Sequence, residues 1–95
     1  MEEPQPTSRY CFVCGRDNPV GLRSAWTSDR ETGEVRGSVS IPDHFNGYPG
    51  VVHGGIVTAI LDEAAVRTAL VDGGDDDLMV TRKIEVSYRR TTPTE

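Results

Sequence analysis

Cysteines, aromatic residues, positive charge and long apolar runs are all scarce in this chain, and each scarcity removes a class of explanation. Two cysteines, Cys11 and Cys14, are too few for the disulfide framework that staples small secreted domains. No stretch reaches the ~20 apolar residues needed to cross a bilayer, because the best run ends at Asp62 and Glu63. Met1-Glu2-Glu3-Pro4 has neither the basic start nor the apolar stretch of a secretion signal. Lys and Arg number 10 against 15 Asp and Glu, a formal charge of -5, with acids at the start and at Asp72, Asp75, Asp76 and Asp77. Such a field repels phosphate backbones, so nucleic acid is not an expected partner. The expectation is a soluble, cytoplasmic protein with no membrane partner.

What is present must fit into 95 residues, at most one domain. A chain of this size buries only about 60–65% of its extended surface, so its core is thin and self-association is expected. Residues 1–9 have two prolines, paired glutamates and no apolar period, and read as a flexible N-terminal tail; residues 10–95 form the domain. Asp17-Asn18-Pro19-Val20-Gly21 has turn chemistry. Leu22, Ser24 and Trp26 then alternate with Arg23, Ala25 and Thr27 as in a short strand. Beyond a polar turn over 28–33, Val35, Gly37, Val39 and Ile41 predict a second strand and a hairpin, with Gly37 leaving room for close packing. Asp43 to Val52 reads as an ordered loop that shelters its aromatics.

From about Gly55 to Leu70 the spacing turns helical. Apolar and small residues cover most of the circumference, so a helix buried on nearly every side is expected. Glu63 and Arg67 stand four apart in the favourable order for a salt bridge, worth only ~0.2–0.5 kcal/mol if exposed. Thr58 and Asp62 share another face with Ala65 and Ala69, where a ligand would have room. Val71 to Asp77 predicts a loop, and Leu78 to Arg90 a longer strand with Val80, Ile84, Val86 and Tyr88 on one side.

Four features carry possible chemistry. Gly47 to Gly55, Gly-Tyr-Pro-Gly-Val-Val-His-Gly-Gly, runs straight into the helix. Its glycines permit close backbone approach, and the first helical N–H groups have no internal acceptor, so they can donate to an oxyanion; the plainer reading of Gly54 and Gly55 is a tight junction. Asp62 sits inside an apolar helix, where it can activate water, attack a carbonyl, or simply face solvent. His53 suits bracing of the loop better than proton transfer, while Thr58 can hold water or bond its own helix. Cys11-Phe12-Val13-Cys14-Gly15 could serve a redox pair or half a metal site; two thiolates do not complete one, so reduced cysteines ordering the first loop are expected, and no metal.

With these residues in view, the sequence resembles the PaaI-type thioesterase branch of the hotdog superfamily. The resemblance rests on Cys11 to Gly15, Asn18-Pro19 with Gly21-Leu22, Gly47 to Gly55, Leu61-Asp62-Glu63, and Ile84 to Arg90. It implies an α+β hotdog fold, a curved antiparallel sheet around a central helix. It also implies a homodimer or tetramer that hydrolyses an acyl-CoA thioester, coenzyme A entering only as part of the substrate and no cofactor being needed. On this resemblance, backbone amides near Gly54 and Gly55 form the oxyanion hole, and Asp62 of the neighbouring subunit is general base or nucleophile. His53 holds the loop, and Asn46, Tyr48 and Thr58 are candidates for substrate binding, although Asn46 stands one residue off the related spacing. Such domains usually continue with about three further strands, so the resemblance also implies a partial domain. A noncatalytic acyl-CoA-binding or assembly module is the alternative.

Overall fold

A computed structural model describes residues 1–71 and 80–95. It is α+β: a three-stranded antiparallel sheet, a two-stranded one and a central helix, in the order β1 Glu2–Pro4, β2 Ala25–Asp29, β3 Val35–Ser38, β4 Asn46–Tyr48, β5 Val51–Val52 and α1 Gly54–Arg67. A short 3-10 turn at Thr68–Leu70 prolongs α1. This arrangement is consistent with a partial hotdog-like fold; among the described residues no sheet closes or curls strongly around the helix. None of their helices is long and apolar enough to cross a membrane.

The alternation read from Leu22 to Thr27 holds, with Leu22, Ser24 and Trp26 buried, and it runs on through Ser28, expected in the polar turn but buried within β2 and paired with Val35. Ladder pairing starts only at Ala25, because Arg23 takes a positive φ of 53° and turns the chain toward the cysteine loop. Ser24 is fully buried yet satisfied: its hydroxyl donates to the Val13 carbonyl at 2.6 Å and accepts from the Trp26 indole at 2.7 Å. β2 and β3 form the expected hairpin, with Trp26 opposite Gly37. A Cβ on Gly37 would lie 2.4 Å from the Trp26 ring, so the indole fills the space that glycine leaves. Gly37→Val should therefore cost about 1–3 kcal/mol through overpacking, read as a lower urea midpoint at unchanged slope.

Three expectations need correction. Glu2–Pro4, expected in an unpaired tail, is a strand on β2, and Gln5 is buried with its amide donating to the Trp26 carbonyl at 3.0 Å. Helix α1 is not buried all round. Ile56, Val57, Ala59 and Ile60 pack on a core of Val13, Leu22, Ile41 and Val52, while Leu61 is 44% exposed and only Arg67 is fully buried. The cover comes from Val13, Leu22 and Ile41 outside the strands and Val52 of β5, all on one side, and a helix covered from one side keeps an open face.

The third correction concerns the strand expected over Leu78 to Arg90. Its first two residues lie outside the described ones, as does most of the loop expected before it, and 80–90 forms no ladder. It lies along the outer side of α1 instead, held by side chains: the Thr81 hydroxyl donates to Asp62, and Tyr88 bonds Thr58 and Gly54. The final residues take the available edge, with the Val52 amide donating to the Thr92 carbonyl at 2.7 Å and Val51 bridging Pro93.

Candidate functional site

The site is built where β5 ends and α1 begins. His53 is the N-cap residue, with φ −57° and ψ 136° in the polyproline-like range, and its Nδ1 accepts from the Gly55 amide at 2.9 Å. That bond requires a free lone pair on Nδ1, which places any ring proton on Nε2. The amides of Ile56 and Val57 donate to the His53 carbonyl at 2.9 and 3.1 Å. The Val57 bond is the first regular one of the helix; of the four N–H groups that a helix start leaves over, those of His53, which donates to the Phe45 carbonyl at 3.0 Å, Gly55 and Ile56 are satisfied. Among the described residues, nothing accepts from the fourth, the Gly54 amide, which also stands at the positive end of the helix dipole.

Gly54 opens on a cleft of about 470 Å³ bordered by Tyr48, Val51, His53, Val57, Tyr88 and Arg90. Tyr48 is 77% exposed, so the loop does not shelter this aromatic as expected. Phe45 does find cover, meeting Phe12 edge-on with centroids 6.1 Å apart. Asn46 lies in a different cleft, of about 380 Å³, with His44, Phe45, Gly55 and Ile56; His53 divides the two. Tyr48 is therefore grouped with Gly54, and Asn46 is not.

Thr58 and Asp62 lie on the side of α1 opposite Ile56, Ile60, Glu63 and Arg67, as the 100° spacing requires. The space expected over this face is partly taken by 80–90. Asp62 accepts from Thr81, and the Tyr88 hydroxyl meets Thr58 while donating to the Gly54 carbonyl at 2.8 Å. Tyr88 is the residue that sequence reading missed. Its alternation reads as that of a plain strand residue, and nothing in its spacing announces contact with a helix start so far back in the chain.

Asp62 lies eight positions along the helix from Gly54, about 12 Å of axis. A single chain therefore does not bring the Gly54 amide and the Asp62 carboxylate to one reacting atom.

The cysteines lie elsewhere, at the far side of the helix beside Glu63. Burial, then the neighbouring Cys11 and the charge of Glu63, push the Cys14 thiol up to about 11. A protonated thiol at neutral pH is a poor redox nucleophile.

No curated protein and no solved structure matches the chain. Residues 49–94 match the family profile Thioesterase superfamily, a span that contains His53, Gly54, Gly55, Thr58, Asp62 and Tyr88 but neither cysteine. A domain of the thioesterase superfamily is thus present over residues 49–94, with the helix start and its open amide inside it.

Proposed function

We propose that this protein hydrolyses an acyl-CoA thioester to the free acid and coenzyme A, in a site shared between two copies of the chain. The observation that carries this reading is the Gly54 amide, left without an acceptor among the described residues while His53 holds its neighbour Gly55. The acyl carbonyl oxygen takes that N–H bond. Water gives a proton to Asp62 of the second copy and adds to the carbonyl carbon; the oxyanion, held at Gly54, collapses and expels the CoA thiolate. Direct attack by Asp62, giving an acyl-aspartate that water then opens, uses the same geometry. Arg90 at the cleft offers positive charge to the CoA phosphates. The PaaI-type resemblance supports this choice of substrate, and Tyr48 and Thr58 fit as groups that position it.

The Gly54 amide can be removed with little disturbance. Gly54 is the first residue of α1, where proline is well tolerated, and His53 already has the polyproline-like conformation that a following proline favours. The nearest atoms to a Cβ there would be those of the Tyr88 side chain, at an ordinary 3.7 Å. Gly54→Pro should retain helix content and lower thiol release from acyl-CoA by about 10²–10³-fold. Undiminished turnover in a folded Gly54→Pro protein would remove the oxyanion role.

A second reading, a noncatalytic acyl-CoA-binding or assembly module, holds where no two copies bring Gly54 of one to Asp62 of the other, since a single chain keeps them about 12 Å apart along the helix. It predicts binding of CoA by the wild-type chain without thiol release at any protein concentration.

A further inference from the structure

The first loop brings together a cluster that the thioesterase reading does not use. The sulfurs of Cys11 and Cys14 and a carboxylate oxygen of Glu63 all lie within 4.8 Å of one another. Four-coordinate zinc with sulfur and oxygen ligands at 2.0–2.3 Å sets its ligand atoms about 3.5–3.8 Å apart. Cys11 Sγ and Glu63 Oε1 are already at 4.0 Å, so a small closure of side chains suffices.

The backbone is arranged for such a grip. The Gly15 amide donates to the Cys11 carbonyl at 2.8 Å, folding the two cysteines into a knuckle. A Cβ on Gly15 would come within 2.5–2.7 Å of backbone atoms of Arg9 and Cys11, so the turn excludes any side chain there. Between the cysteines, the Phe12 and Val13 carbonyls accept from the Leu22 and Ser24 amides at 2.8 Å, which ties the loop to the chain leading into β2.

Glu63 is also oriented. Its Oε2 accepts from Arg67 Nε at 2.8 Å, leaving Oε1 turned toward the thiols. Metal-binding carboxylates are commonly fixed by such an outer partner. Charge completes the case: two thiolates and a carboxylate around a divalent ion leave one net negative charge, and buried Arg67 beside them cancels it. Without an ion, what joins the Cys11 thiol to Glu63 is one long hydrogen bond of 4.0 Å.

We propose that Cys11, Cys14 and Glu63 form a zinc site, with water from the partly open Cys11 side as the fourth ligand. The site lies on the core side of α1, away from Asp62, and its test is independent of hydrolysis. Cobalt(II) serves as a spectroscopic probe for the full-length, reduced, chelator-treated protein. One ion per chain should bind, with a thiolate-to-cobalt charge-transfer band and the d–d pattern of a tetrahedral centre, and zinc should displace it. Cys11→Ser and Cys14→Ser should each weaken that band, and Glu63→Gln should lower zinc affinity at least about tenfold. A measurement on the unaltered protein guards against variants that fail to fold: zinc should slow alkylation of Cys11 about tenfold or more, and chelator should restore the rate. Absence of the charge-transfer band, affinity unchanged in folded Glu63→Gln, or alkylation indifferent to zinc would each overturn the site.

Discussion

Asp62→Ala is expected to lower thioester hydrolysis by about 10²–10⁴-fold, the usual worth of a positioned acid–base group, while leaving acyl-CoA affinity within about twofold. The carboxylate is half-buried on the outer face of α1, where its contact is the Thr81 hydroxyl, so its loss removes no core packing. The more discriminating form of the experiment mixes chains. Asp62→Ala retains an intact Gly54 amide, and Gly54→Pro retains an intact Asp62. If each site draws one group from each copy, a mixed dimer contains one complete site and one lacking both groups. Random exchange between the two inactive proteins should then restore about a quarter of the wild-type rate. Sites formed within single chains would show no recovery, and the axial distance of about 12 Å along one helix argues for the shared arrangement.

Arg67→Ala should be the most destabilising single change in the molecule, about 3–5 kcal/mol, because it strands partners around a buried charge. Arg67 is 3% exposed; its Nε donates to Glu63 at 2.8 Å, its Nη1 to the Gln5 side chain at 3.1 Å and to the Pro6 carbonyl at 3.0 Å, and its guanidinium lies 5.4 Å from the Trp26 ring centre. Gln5 returns a bond to the Arg67 carbonyl at 3.2 Å. One side chain thus joins the end of α1 to the N-terminal strand and to β2. Urea unfolding measures the loss. The double variant Arg67→Met with Glu63→Gln should recover a large part of it, since an apolar replacement of similar volume leaves no ion without its partner. A loss below about 0.5 kcal/mol for Arg67→Ala would assign Arg67 the role of an ordinary surface charge.

The contrast between that expectation and the sequence reading is instructive. A Glu and an Arg four apart define a helical ion pair whatever surrounds them, but whether it is worth tenths of a kcal/mol or several depends on burial. Burial at Arg67 comes from Gln5, Pro6 and Trp26, residues that no local pattern assigns to the helix end. The zinc ligands divide in the same way. Cys11 and Cys14 announce a pair by their spacing, while Glu63 joins them only through the packing of α1 on the first loop. His53 and the two glycines were legible as a helix start. That the His53 ring takes the Gly55 amide and leaves Gly54 open is a matter of side-chain geometry.

The segment before Tyr88 marks the sharpest limit. Alternation of apolar residues specifies which side chains can share a face, but a strand also needs an edge to pair with. Here the edge of β5 is taken by Thr92 and Pro93, and 80–90 lies on the helix instead.

Sequence alone determined the elements governed by near neighbours: the Leu22 to Thr27 alternation, the hairpin that follows it, the helix, and the glycine-rich start that resembles a thioesterase. Tertiary structure decided which faces those elements cover, that the N-terminus becomes a strand, and that Gly54 and Asp62 stand two turns apart in one chain. The reason is range. Backbone periodicity and turn chemistry act over a few residues and are written locally, whereas burial and the pairing of distant side chains arise only when separate segments compete for the same thin core.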